Sequence, residues 1–265
     1  MSNRFLFFLL LCNCFLSPLS ALAQDDGIVN CSGPFAQKKL TLIQLESILQ
    51  THENWASEEP DYDLPRTRAN LCKAIIENAH LQGRNLQRID LTGAKLINSN
   101  LSGANLGNAN LSGADLTGAD LSNANLERAK LISTWLNNAS LRQANLSYSD
   151  MQKTWARAAD FTDANLSSVD ARACNFNSAN MHRAKLFSAD LSNCELKRVN
   201  FKEADLVSAH LNGADFELAN LEQTRIGFVK ADENTDLSMA IVIDTDLEYL
   251  ERNGAIMPLS LEVKP

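Results

Sequence analysis

Residues 109–123 read Ala109-Asn110-Leu111-Ser112-Gly113, Ala114-Asp115-Leu116-Thr117-Gly118, Ala119-Asp120-Leu121-Ser122-Asn123. Each five-residue unit runs from a small residue through Asn or Asp to leucine, then ends on two small or polar residues. Stepping by five from Leu111 leads back to Leu71 and Ile76, and forward to Leu221 and Ile226. That register holds 32 positions, of which 30 are Leu, Ile, Met or Phe; Ala156 and Ala171 are the departures. Two residues before each centre runs a second register, mostly Ala with some Ser, Thr, Cys and Val, broken early by Arg84 and Ile89.

A period of five fits neither regular element. On a helix these leucines would spread around the whole circumference, and on a strand they would alternate between faces. A chain that turns a corner every five residues puts every centre inside. The small residue two places earlier also points inward and lets the walls approach closely. The other three positions face solvent, where the sequence is rich in Asn, Asp, Ser, Gly, Lys and Arg.

Tandem Ala-Asp/Asn-Leu-x-x over about 160 residues resembles the pentapeptide repeat family. The resemblance implies an all-β solenoid, a right-handed quadrilateral β-helix with four repeats per coil, hence about eight coils. At a strand spacing of about 4.8 Å the rod would be roughly 35–40 Å long. Where Ala156 and Ala171 remove core volume, Phe161 and Phe176 are placed to restore it.

A solenoid needs covers at both ends, because open coils expose apolar side chains and unpaired backbone. Residues 24–68 form an N-terminal flank with a capping helix over about 41–57. Thr41-Leu42-Ile43-Gln44 reads as a capping box, and Leu42, Leu45, Ile48, Leu49 and Trp55 follow as its apolar stripe. The repeat occupies 69–226, and 227–265 form a C-terminal cap. There Asp236-Leu237 resembles a repeat displaced by one residue, Ala240 to Ile243 a last strand, and Asp244 to Arg252 a short helix closed by Gly254.

Residues 1–23 read as a secretory signal peptide. Arg4 precedes the apolar run Phe5–Leu16, and Ala21-Leu22-Ala23 sets cleavage before Gln24. The expected location is therefore exported, periplasmic or secreted, with no stable membrane insertion after cleavage. Of the four cysteines beyond the leader, Cys31 and Cys72 are the candidate disulfide, tying the flank to an outward site on the first coil. Cys174 and Cys194 occupy the small inward register one coil apart. Side chains stacked at about 4.8 Å are too far apart for ordinary disulfide geometry, so free thiols are expected there.

Net charge is −8, but it is unevenly placed. Residues 69–226 carry 16 basic and 16 acidic groups, so the acidity lies in the flanks. The resemblance brings to mind DNA mimicry that protects a topoisomerase, which needs a strongly negative rod in the cytosol. A neutral rod behind a leader does not suit it, and no nucleic-acid partner is expected.

Wrapping the sequence twenty residues per coil produces outward ladders. Asp150, Asp170 and Asp190 form a candidate acidic ladder, conceivable as a cation site although Asx residues are structurally favoured there. Trp135 and Trp155, stacked beside Arg157, form the candidate partner-binding surface. Asn85, Asn105, Asn125, Asn145 and Asn165 read as a structural amide ladder. No catalytic motif, metal-ligand spacing or phosphate-cradling loop occurs, and His52, His80, His182 and His210 lie apart. The expectation is a non-enzymatic interaction or scaffold module without a cofactor, whose partner is another protein. A surface for cations or glycans is the alternative, and self-association through an end cap or a flat face stays open.

Overall fold

From Ala69 to Ile226 the chain closes one four-sided coil every twenty residues. The computed structural model describes residues 33–57, 69–243, 245 and 247–258, all within the unit Cys31–Pro265. The expected leader lies outside the described residues. Parallel bridges join each rung to the one twenty residues on, as in Asn110↔Lys130, Asp115↔Trp135, Asp120↔Ser140 and Asn125↔Asn145. These define four walls. We call them the acidic wall (rungs 70, 90 to 230), the tryptophan wall (75, 95 to 215), the fourth wall (80, 100 to 220) and the amide wall (85, 105 to 225). The pairing consists of isolated bridges because a corner interrupts each wall before an extended strand develops.

The unit 100–104 shows how the backbone is satisfied. Asn100 N–H donates to Ala79 O (2.8 Å) on the coil before, and Leu101 N–H to Asp120 O (2.7 Å) on the coil after. Gly103 N–H reaches Ser122 O (2.8 Å), and Ala104 N–H closes the turn onto Leu101 O (3.0 Å). The remaining donor, Ser102 N–H, is taken by Asn100 Oδ1 at 3.0 Å. Where Asn or Asp precedes the centre, it therefore supplies an acceptor that the corner otherwise lacks. The corner residue itself is left-handed, as at Gly103 (φ 64°) and Asn98 (φ 54°), which favours Gly and Asn there.

Every centre from Leu71 to Ile226 is buried. Truncating one fully enclosed leucine to alanine costs about 2–5 kcal/mol in such packing. In the stretch of core that holds Ala156 and Ala171, Phe161 and Phe176 meet edge to face with centroids 5.6 Å apart. Both rings are fully buried. Where the small register carries a hydroxyl, it donates to the backbone of the previous coil, as Thr134 Oγ1 does to Leu111 O at 2.8 Å.

The ladder begins before its expected start, and past Ile226 it continues through the displaced repeat expected at Asp236-Leu237. Ahead of Ala69, Lys39 bridges Ile75, and Gln37 N–H donates to Lys73 O (2.8 Å). Residues 33–40 thus form part of a coil beneath the first one. At the other end Asp215 pairs with Asp236 and Asn220 with Ile241, a spacing of 21, and Asp236 then pairs with Ile256. The one-residue slip is absorbed where Asp232 Oδ1, rather than a carbonyl, accepts Gly213 N–H at 2.9 Å. The segment after Ile226 is therefore a continuation of the solenoid as well as its cover.

Helix α1 (Leu42–Ser57) lies over the N-terminal end. Its capping box closes through Thr41 N–H to Gln44 Oε1 (3.0 Å) and Gln44 N–H to Thr41 Oγ1 (3.2 Å). Its buried stripe keeps Leu45, Ile48 and Leu49 of the one expected, with one departure and one addition. Leu45, Leu49 and His52 are buried, whereas Leu42 is 77% exposed, because it sits in the first turn before the helix meets the coil. The side chain of Trp55 lies outside the described residues. Helix α2 (Glu248–Arg252) is shorter than expected and begins after Leu247, with Leu247 and Leu250 turned into the core. Among the described residues, no helix is long and apolar enough to cross a membrane.

Candidate functional site

Trp135 and Trp155 share a parallel bridge on the tryptophan wall and remain 53% and 50% exposed. Their side chains point outward because the inward positions beside them belong to Thr134, Leu136, Thr154 and Ala156, all buried. Trp155 is half exposed rather than folded into the core over Ala156, which is itself fully buried. Ring stacking between the two indoles, expected from the register, is not present among the described residues; each keeps its own exposed surface. Arg157 is exposed and in no ion pair among the described residues. A tryptophan before the centre cannot supply the Asx acceptor. For Arg157 N–H that role passes to Asn137 Oδ1 on the previous coil, at 3.0 Å.

Lys153 completes this surface and was not singled out by the sequence reading. It lines one depression with Trp155, Asn175, Asn193 and Glu195. The signal was available: Lys153, Trp155 and Arg157 alternate with the buried Thr154 and Ala156. Glu195 Oε2 is already held by the amides of Asn175 (2.5 Å) and Asn177 (2.8 Å).

Asp150, Asp170 and Asp190 do stack on the acidic wall. Arg172 lies across them, its guanidinium donating to both oxygens of Asp170 at 2.8 and 2.7 Å and reaching to 3.8 Å from Asp190. The Asp170 carboxyl is held below the usual carboxylate range, chiefly by that hydrogen bond. One oxygen of each carboxylate also accepts the backbone N–H two residues on. Among the described residues, no cluster of His, Cys, Asp or Glu is arranged to hold a metal ion.

The amide ladder is continuous: Asn125 Nδ2 donates to Asn105 (3.1 Å), Asn145 to Asn125 (3.2 Å) and Asn165 to Asn145 (3.1 Å). Cys174 and Cys194 are buried free thiols, donating to Met151 O (2.8 Å) and Ala171 O (2.9 Å). Burial pushes the Cys174 thiol well above its ordinary range. Cys72 does not face outward as expected. It is 1% exposed because residues 33–40 cover that corner, and Cys31 lies outside the described residues.

The N-terminal junction joins α1 to the rod through polar contacts. Arg84, at an inward register position, turns up to α1. It meets Glu53 through Nε (2.5 Å) and Nη2 (3.0 Å), and Glu46 through Nη1 at 2.9 Å. The buried His52 accepts Ala69 N–H on Nδ1 at 3.1 Å, and burial lowers its pKa despite the Gln87 backbone and Glu53.

Eight copies of the pentapeptide-repeat model match residues 85–123, 124–163, 157–193 and 184–223, more than half of the chain. The chain belongs to the pentapeptide repeat family. Pentapeptide repeat proteins are generally non-catalytic. Among solved members, full-length QnrB1, a plasmid-mediated fluoroquinolone resistance protein, is 20% identical over 70% of this chain and 94% of its own, with a TM-score of 0.51. That likeness concerns the fold, which the family's structures place as a right-handed quadrilateral β-helix. HetL of the cyanobacterium Nostoc, involved in heterocyst differentiation regulation, is 28% identical over 83% of this chain and 98% of its own, with a TM-score of 0.32. A pentapeptide repeat protein of the Arabidopsis thaliana thylakoid lumen is 32% identical over 36% of this chain and 63% of its own, with a TM-score of 0.29. No curated protein matches the sequence.

Proposed function

We propose that this pentapeptide repeat protein is an exported, non-enzymatic interaction module that engages another protein through its tryptophan wall. The observation that carries this reading is the pair Trp135 and Trp155, each about half exposed on adjacent rungs of a rigid wall. Neither indole fills the core, and neither can supply the Asx bond that the corner uses elsewhere. Positions that depart from a fold's local rule without a packing return are where function concentrates. Exposed aromatics offer large contact area at low cost in conformational entropy.

Export rests on the leader sequence. It is accompanied by the proposed Cys31–Cys72 disulfide, which would fasten the flank beneath the first coil. The pairing is supported by the burial of Cys72 beneath Gly33, where a Cβ built on the glycine would stand 3.3 Å from that of Cys72. Free thiols among the described residues are Cys174 and Cys194. The cation alternative is weakened by Arg172, which occupies the carboxylates it would need.

The test is retention of the native partner by tagged protein exported in its own host. Trp135→Ala with Trp155→Ala should abolish retention while leaving the melting temperature unchanged. Unaltered retention would remove the tryptophan wall from consideration.

A further inference from the structure

We propose that the tryptophan wall receives an acidic segment of the partner, laid in extended conformation across the rod with the pattern acidic-x-apolar-x-acidic. This rests on the reading of that wall as the working surface. Three outward residues of one coil define the footprint: Lys153, Trp155 and Arg157. Both cations are exposed and in no ion pair among the described residues, whereas neighbouring Arg172 and Lys197 are engaged by carboxylates. The same row positions one coil before are Ser133, Trp135 and Asn137, and one coil after are Ala173, Asn175 and Asn177. None of these carries charge; the Glu195 carboxylate reaches the later row but is taken by the amides of Asn175 and Asn177, so neither cation of the footprint is neutralised by an ion pair.

Charge also fixes the direction. Along the rod axis the Trp column ends at Asp115 on one side and meets Glu195 beyond Asn175 on the other. A carboxylate-bearing chain running that way would meet repulsion at both ends. Across the rod, both flanks are cationic. Residues two apart in an extended chain lie about 6.6–7 Å apart on one face, and Lys153 and Arg157 stand in the two turns that flank the Trp155 rung. An apolar side chain on the indoles would therefore place carboxylates two residues to either side over Lys153 and Arg157.

Main-chain pairing with this wall is closed, because Trp155 N–H donates to Thr134 O (2.9 Å) and Trp155 O accepts Leu136 N–H (2.6 Å). Recognition falls to side chains, with electrostatics setting selectivity and salt dependence.

The test uses the full chain, with ¹⁵N-labelled indoles assigned through Trp135→Phe and Trp155→Phe. The probes are the blocked peptide Glu-Ser-Leu-Ser-Glu, its counterpart Lys-Ser-Leu-Ser-Lys, and oligogalacturonate. We expect millimolar acidic peptide to shift both outward indole resonances, less so as salt rises, and the basic peptide to leave them unmoved. Lys153→Glu with Arg157→Glu should weaken the response at least tenfold at an unchanged melting temperature. No shift with the acidic peptide, equal shifts with both peptides, or indifference to charge reversal would overturn the proposal. So would a response to oligogalacturonate alone, which would mark an anionic-glycan surface instead. Partner retention separates the two readings. Loss with the Trp pair but not with charge reversal would sink only the acidic inference, and loss with neither would sink both.

Discussion

Asn137 Oδ1 accepts the backbone N–H of Arg157 across one coil, replacing the bond that an Asn or Asp at position 155 would make. The tryptophan is thus accommodated by a substitute acceptor. Trp155→Asn should restore the local bond and leave stability unchanged or raised by up to about 1 kcal/mol, while abolishing partner retention. Asn137→Ala should instead cost about 0.5–1 kcal/mol, because the exposed corner N–H exchanges its acceptor for water. Urea denaturation reads both, and a large loss of stability in Trp155→Asn would mean that the indole is structural.

The Arg84 fork ties α1 to the rod through Glu46 and Glu53. Arg84→Met keeps the bulk but strands Glu53, which is only 21% exposed. The expected cost is about 2 kcal/mol, concentrated in the cap. Amide exchange should quicken in α1 and stay slow in the middle coils; uniform acceleration along the rod would contradict a local clamp.

His52 gives the cap a pH dependence. Its Nδ1 is an acceptor, so the folded ring is neutral, and its pKa lies below the ordinary 6.5. As pH falls below 6.5 the unfolded chain takes up a proton that the folded junction resists, so stability declines. Glu53 opposes this from the next residue, and the Arg84 fork of Glu46 and Glu53 is the charged cluster beside the ring. Melting temperatures from pH 7.5 to 5 should fall for the wild type and flatten for His52→Gln. Parallel curves would exclude the ring as the cause.

Asn125 sits mid-ladder. Its amide donates to Asn105, and its Oδ1 accepts from Asn145 and from Glu127 N–H. Asn125→Ala should cost about 2 kcal/mol, measured by chemical denaturation. Asn125→Asp should lose less, because the acceptor oxygens remain.

The inward registers were legible because burial repeats with the corner: one spacing predicts every centre from Leu71 to Ile226. Corner chemistry was legible for the same reason, since Asx and Gly recur where an acceptor and a positive φ are needed. Features that depend on a single long-range contact were not. Residues 33–40 pair with the first coil without any repeat of their own, so Cys72 was placed outside when it is covered. Leu42 fitted the helical stripe but lies before the helix meets the coil, while His52 continues the buried line of Leu45 and Leu49 as a polar residue. Arg84 stood out as an exception to the small register. Its purpose needed Glu46 and Glu53, seven residues apart on one helix face, to be brought over it.

The twenty-residue closure turns insertions and deletions into rotations. Removing one five-residue unit before residue 135 would move everything downstream by a quarter turn, carrying Trp135 and Trp155 to the neighbouring wall with the core register intact. Removing four units would lower the patch by one storey on its own wall. A change that is not a multiple of five would turn the core outward unless a loop absorbs it, as Asp232 does near the C-terminal end. Such a molecule can relocate a binding surface relative to its caps by arithmetic alone, without redesigning a single contact inside it.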